Sequence, residues 1–240
     1  MSVARTVRQF TIKNRATVTS AEPVGDGLLH VRATMAQPNV AWKPGQAVAL
    51  VVDPEGKSMK DRWRHYTVRA CDREAGTIDF LMARHDASTP GGRFIDNLAA
   101  GREFTFMGPG GSPVVEHGAR GYLFAGDRTS VASISAMLDS LSERTPNVRA
   151  TVIMATPNPR AAALPTSVEH DVTWVAATTA EEIAANVVDA LPPTIPSASR
   201  AYVTGEMTMM RDVRRALGER GLGRRHIGCH AHWTPGRRGM

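Results

Sequence analysis

Arg64-His65-Tyr66-Thr67-Val68-Arg69 is the stretch on which the reading of this 240-residue chain turns. Laid out as a strand it alternates its side chains, so Arg64, Tyr66 and Val68 share one face and His65, Thr67 and Arg69 the other. A guanidinium holds a diphosphate through paired charge-assisted hydrogen bonds, a phenol ring covers a planar heterocycle, and a hydroxyl bonds the edge of that heterocycle. Those are the needs of a flavin dinucleotide, which makes Arg64, Tyr66 and Thr67 the first candidate site residues. Tyr and Arg are also ordinary residues of a half-buried strand, so the neighbouring segments have to agree.

Upstream, Trp42-Lys43-Pro44-Gly45-Gln46 reads as a turn into the apolar run 47–52. Downstream, Thr89-Pro90-Gly91-Gly92-Arg93 precedes a short helix expected over Phe94 to Ala99, stopped at Gly101. Glycines at a helix start leave N–H groups bare for phosphate, although two glycines also suit a plain loop. In the same half, Leu29, Val31 and Ala33 alternate with His30, Arg32 and Thr34, and Ile78, Phe80 and Met82 alternate with Thr77, Asp79 and Leu81. With the runs 47–52, 64–70 and 103–107 this makes about six strands, the number of a small antiparallel barrel.

The second half changes period. Val131, Ile134, Leu138 and Leu141 are spaced for a helix face, as are Met210, Val213 and Leu217 before a stop at Gly221. Short apolar runs at Tyr122–Ala125, Ala150–Ala155, Val172–Ala176 and Tyr202–Thr204 suit strands buried on both sides. The expected order is βαβαβαβ around an open parallel sheet. The chain is therefore read as an antiparallel β-barrel flavin domain over residues 1–117, followed by a Rossmann-like parallel α/β nucleotide domain over 118–240.

Composition sets bounds. Charged residues are 22% and apolar residues 42%, as in globular proteins, and no apolar run approaches the ~20 residues of a membrane span. Residues 1–8 include basic side chains with no apolar segment after them, so a secretory signal is not expected and a cytoplasmic monomer is. The two cysteines, Cys71 and Cys229, cannot build a disulfide framework or a four-thiolate iron–sulfur cluster. Net charge of +6 favours anionic partners. No arginine stripe interleaved with aromatics and no helix-turn-helix pattern is present, so nucleic acid is not an expected partner.

Taken together, these motifs make the chain resemble the siderophore-interacting proteins, flavin-dependent ferric-siderophore reductases of the ferredoxin–NADP reductase superfamily. The resemblance runs from about Arg15 to Arg238. Besides the 64–69 stretch, it rests on Gly108-Pro109-Gly110-Gly111-Ser112, Leu123-Phe124-Ala125-Gly126-Asp127-Arg128-Thr129, Tyr202-Val203-Thr204-Gly205-Glu206, and the tail His232-Trp233 with Arg237 and Arg238. It implies FAD held by Arg64, Tyr66, Thr67, Val68 and Arg69, and beside them His85, Gly91, Gly92 and Arg93 are candidate cofactor-binding residues. It also implies NADPH or NADH facing the Gly126-Asp127 turn, and a last helix opened by Gly205-Glu206. Trp233 is implied to lie near the flavin. The chain departs from the family at Arg128, where an acidic residue is usual, and at Pro90-Gly91-Gly92-Arg93-Phe94.

In a barrel followed by a nucleotide sheet, the reaction is expected at the carboxyl ends of the parallel strands, in a cleft between the domains. Gly126 and Gly205 would let a ligand approach the backbone, while Asp127 and Thr129 either cap the next helix or touch the ligand. Hydride transfer asks little acid–base chemistry of the protein, so Tyr66, Thr67 and Trp233 are the expected catalytic surroundings. Ser130, Ser133 and Ser135 lack a nucleophile elbow and read as helix serines. His226, His230 and His232 alternate on one expected strand face without a second ligand pair, so no metal site is assigned.

After the second strand of the sheet, Ala155-Thr156-Pro157-Asn158-Pro159-Arg160 has a hydroxyl and a cation but no carboxylate, which favours NADPH through Arg160. The loop from Lys57 to Arg64 carries four cations against one carboxylate, so Lys57, Lys60 and Arg62 are the expected attractors of an anionic ferric chelate. Two other functions fit the same residues. One is a reductase component serving an oxygenase or a quinone; the other is a flavin- or siderophore-binding module without turnover.

Overall fold

The computed structural model describes residues 13–38, 40–84, 86–111, 113–145 and 149–237. His85, Ser112 and Arg238 lie outside the described residues. Two compact units divide the chain, Met1–Gly111 and Ser112–Arg237.

In the first unit six strands close into an antiparallel barrel: β1 (Lys13–Val24), β2 (Leu28–Met35), β3 (Ala47–Val51), β4 (Trp63–Asp72), β5 (Thr77–Ala83) and β6 (Glu103–Gly110), ordered β1-β2-β5-β4-β3-β6. Asp26 and Gly27, both with positive φ, make the tight turn that folds β2 back on β1. The alternation seen in the sequence sets the register. Leu29, Val31, Ala33, Ile78, Phe80 and Met82 point inward into one core, where Phe80 meets Phe104 edge to face at 6.1 Å. Outside, Asp79 is held by a bidentate pair to Arg32 at 2.9 and 2.8 Å, so the outward row of β5 is covered as well.

Two short helices belong to this unit, α1 (Met59–Arg62) and α2 (Pro90–Asp96). Helix α2 starts four residues earlier than expected. Pro90 presets the first helical position, Thr89 accepts from Gly92 N–H at 3.0 Å, and both glycines lie in the first turn rather than ahead of it. Phe94, Ile95 and Leu98 join the barrel core and anchor the helix there.

The second unit is a five-stranded parallel sheet, β7 (Gly121–Asp127), β8 (Arg149–Thr156), β9 (Val172–Ala176), β10 (Ser199–Glu206) and β11 (Ile227–Trp233), ordered β11-β10-β7-β8-β9. Helix α3 (Val131–Arg144) crosses from β7 to β8, α4 (Ala180–Asp189) from β9 to β10, and α5 (Met207–Glu219) from β10 to β11. The first crossover runs one way along the sheet and the other two run back, so right-handed connections put α3 on one face and α4 and α5 on the other. Leu123, Ala125, Ile153, Ala155, Ala201 and Val203 pack toward α4 and α5, and Tyr122, Phe124 and Tyr202 stack on the opposite face.

The expected helix between β8 and β9 is absent. Residues 157–171 contain Pro157, Pro159 and Pro165, which remove backbone donors and fix φ, and the loop is tied instead by Ser167 N–H to Asp139 on α3 at 2.6 Å. At the end of α5, Gly221 takes positive φ and Leu222 N–H reaches Leu217 O at 3.0 Å, the glycine stop expected there.

Candidate functional site

At one end of the barrel the inward row of β4 climbs from Val68, fully buried, through Tyr66 to Arg64, both half-buried. Arg64 and Tyr66 converge on Gly91 in the first turn of α2: a side chain there would sit 3.4 Å from Tyr66 Oη and 3.7 Å from Arg64 Cγ. Arg64 is oriented by Nη1, which donates to the carbonyls of Lys60 and Trp63. Burial pushes the Tyr66 hydroxyl up from its ordinary value, with the Arg64 charge pulling partly back, so it is a neutral phenol at physiological pH.

Gly92 is sterically required, because a β-carbon there would lie 2.1 Å from the Asp86 carbonyl oxygen. His65 and Thr67 occupy the other face of β4, away from the Arg64–Tyr66 row, and Arg69 falls at the register shift between Val68 and Ala70. Arg93 donates to Ser88 O at 2.6 Å. In the cationic loop, Arg62 turns back on its own backbone, donating twice to Pro54 O at 3.1 and 2.8 Å, while Lys57 and Lys60 are exposed.

In the second unit the strand order reverses between β7 and β10, and the carboxyl ends of those two strands carry the Gly126-Asp127 and Gly205-Glu206 turns. This is the topological switch point, where open α/β sheets take ligands. Their glycines, however, make room for protein atoms. A β-carbon on Gly126 would meet Ser130 Cβ at 2.7 Å, and one on Gly205, whose φ is +124°, would meet the Asp127 carboxylate at 2.7 Å.

Asp127 accepts four hydrogen bonds. Oδ1 takes Thr129 N–H at 2.7 Å and the Thr129 hydroxyl at 2.5 Å; Oδ2 takes Glu206 N–H at 2.7 Å and Trp233 Nε1–H at 2.8 Å. Asp127 therefore caps the 3-10 turn Arg128–Ser130 ahead of α3, and Thr129 sits inside that turn rather than capping a helix. Glu206 caps α5 through Met209 N–H at 2.8 Å, and its other oxygen is buried without a hydrogen-bond partner among the described residues.

His232 Nδ1 lies 3.1 Å from Thr129 O, the geometry of a neutral imidazole donating to a carbonyl. Burial, opposed by Asp127 and helped by the neighbouring His230, pulls its pKa down to about 4. Arg160 is exposed after the end of β8. The three tail histidines do not converge: His226 accepts from Arg225 in a 3-10 turn, while His230 and His232 face each other edge on at 5.5 Å. Burial raises both cysteine thiols above their ordinary values, which disfavours thiolate chemistry.

Several groups were not legible in the sequence. Ser130 Oγ–H donates to Thr204 O at 2.6 Å, and Ser133 reaches the Thr204 hydroxyl at 3.3 Å, together bracing β10 against α3 across more than seventy residues. Nothing local signals such long-range partners; only a serine-rich first turn hints at them.

Two family models match this chain one after the other: the siderophore-interacting FAD-binding domain over residues 27–113 and the siderophore-interacting protein domain over 119–236. The chain belongs to the siderophore-interacting protein family. Among solved structures it superposes on the siderophore-interacting protein SipS from Aeromonas hydrophila with a TM-score of 0.77, at 23% identity over 94% of this chain and 92% of that one. A siderophore-interacting protein from Acinetobacter baumannii gives 0.76 at 18% over 94% and 92%. The ferredoxin reductase of carbazole 1,9a-dioxygenase gives 0.75 at 20% over 92% of this chain and 68% of that one. At these identities the likeness is one of fold. Among curated proteins, the ferric vibriobactin reductase ViuB of Vibrio cholerae is 30% identical over 105 residues, spanning 41% of this chain and 39% of that protein.

The residues present fit FAD in the first unit. The fixed guanidinium of Arg64, the neutral Tyr66 ring and the side-chain-free surface of Gly91 form a cradle that a diphosphate and a planar ring could fill.

Proposed function

We propose that this family member is an NAD(P)H-dependent, FAD-containing reductase of ferric siderophores. The observation that carries the reading is the Arg64–Tyr66–Gly91 cradle, in a chain whose two halves match the two siderophore-interacting family models. Bound FAD would accept two electrons from a nicotinamide and release them singly, as ferric iron requires. Arg64, anchored by two carbonyls, would hold the diphosphate, and Tyr66, a neutral phenol, would face the ring; Thr67 stands on the opposite face of the strand. Reduced iron binds hard oxygen ligands less tightly, so the chelate loosens once the electron arrives.

Exposed Lys57 and Lys60 draw in an anionic ferric chelate, and Arg160, with no carboxylate beside it in sequence, favours NADPH over NADH. The relative named for ferric vibriobactin reduction supports the substrate class. A reductase component serving another acceptor is the competing assignment. The test is an anaerobic acceptor screen on purified, FAD-loaded protein with NADPH and NADH, using ferric chelates, quinones and cytochrome c, in wild type and Arg64→Ala. Ferric chelates should be the best acceptors by kcat/KM, NADPH the better donor, and Arg64→Ala should bind FAD about ten- to a hundredfold more weakly. A protein that takes up no FAD, or that reduces quinone in preference to every ferric chelate, would refute the assignment.

A further inference from the structure

We infer that Asp127 is a positioning residue: its carboxylate holds the Trp233 indole at the ends of β7 and β10, fixing one wall of the crevice where those strands would receive a nucleotide. The inference rests on the reading of the second unit as the NAD(P)H domain. An ordinary cap uses one oxygen, and Asp127 Oδ1 does that with the Thr129 N–H and hydroxyl. Oδ2 serves a different purpose, joining Glu206 N–H on the neighbouring strand to Trp233 Nε1–H on the strand beyond. One carboxylate, 3% exposed, thus gathers the ends of β7, β10 and β11.

Strand β11 needs such a tie. It lies at the edge of the sheet and, among the described residues, pairs only with β10. Its register shifts between Gly205 and Glu206, so that His232 is the extra residue and Trp233 comes opposite Glu206. A bulge of this kind re-aims the side chains around it. Here it sends His232 to Thr129 and Trp233 to Asp127, two contacts that return the strand end to the β7 turn. Gly205 completes the arrangement, since any side chain there would displace the same carboxylate. An indole that packs against the core and is aimed by one bond to a buried, fully occupied carboxylate has a defined orientation, and preorganised walls bind better than mobile ones.

The experiment uses the full chain in four forms: wild type, Trp233→Phe, Asp127→Asn and the double variant. Trp233→Phe removes a single N–H and keeps an aromatic ring, so it tests the contact even if Asp127→Asn is poorly folded. The first readout needs no cofactor. Amide exchange across residues 229–234 should be about tenfold faster or more in both single variants, and the Trp233 emission should shift between its wild-type value (wild type minus Trp233→Phe) and its value in Asp127→Asn (Asp127→Asn minus the double variant). The second readout is the dissociation constant of NADP⁺. Each single variant should bind roughly tenfold more weakly, and the double variant no more weakly than the worse single, because the residues act through one contact.

Unchanged exchange and emission in Asp127→Asn would overturn the positioning role. Losses of NADP⁺ affinity that multiply in the double variant would show that Asp127 acts apart from Trp233, which also overturns it. If wild type binds neither NADP⁺ nor NAD⁺, the nucleotide reading and the crevice wall fall together, while exchange and emission still report whether Asp127 holds the indole.

Discussion

Acidification should unfold this protein partly through His232, and the size of the effect follows from its surroundings. Unfolded, the imidazole titrates near ~6.5; folded, it is pulled down to about 4. Above pH 6.5 both states carry it neutral, and it contributes nothing to the pH dependence. As pH falls through 6.5 the unfolded chain takes up a proton that the folded one refuses until about 4, so stability is lost over that window. The slope approaches about 1.4 kcal/mol per pH unit between pH 5 and 6, and the loss at pH 5 reaches about 2 kcal/mol relative to pH 7.5.

His232→Asn is the informative variant, because the Asn amide can replace the Nδ1–H donor to Thr129 O and does not titrate. Urea unfolding of wild type and variant, followed by circular dichroism from pH 4.5 to 8, measures the difference directly. Wild type should lose about 2 kcal/mol more than the variant on going from pH 7.5 to 5. His117, whose pKa burial and Arg144 also lower, contributes equally to both proteins and cancels. Parallel stability profiles for the two would show that His232 is not held neutral, and the argument from its burial would fail.

Two adjacent glycines in α2 should respond oppositely. Gly91→Ala meets ordinary contact distances and gains helix propensity, so stability should be unchanged or up to about 1 kcal/mol higher, whereas Gly92→Ala collides with the Asp86 backbone and should cost about 1–3 kcal/mol in a denaturation series. Equal effects would contradict the placement of the helix start at Pro90. Gly205→Ala, strained at φ +124° and 2.7 Å from Asp127 Oδ2, should lower stability by about 1–3 kcal/mol and speed amide exchange at residues 229–234; an unperturbed strand end would speak against the β7–β10–β11 staple.

Periodicity determined most of the fold. Side-chain alternation in 28–34 and 77–82 recurs as the inward and outward rows of β2 and β5, and the helical spacing of Val131, Ile134, Leu138 and Leu141 recurs as buried positions of α3. These are local consequences of backbone geometry, so a sequence carries them. The strand that the sequence runs did not locate, β1, is built from small and polar residues with only Ala16 and Val18 fully buried, and its place follows from pairing with β2 and β6. The missing helix before β9 reflects prolines that outweighed an expectation taken from topology.

That Arg64 and Tyr66 share a face was legible because they stand two residues apart on a strand. Their partner Gly91 was named from a glycine pair, but that it sits against them depends on α2 packing its Phe94 and Ile95 into the barrel. The sequence also marked Asp127, Gly205, Glu206 and Trp233 as separate motifs. That one carboxylate joins them is a property of the parallel sheet alone, whose strand order brings groups 79 and 106 residues away onto the same Oδ2 oxygen. Hydrogen bonds across such separations leave no periodic trace along the chain, because neither partner's neighbours constrain the other until the strands are in register.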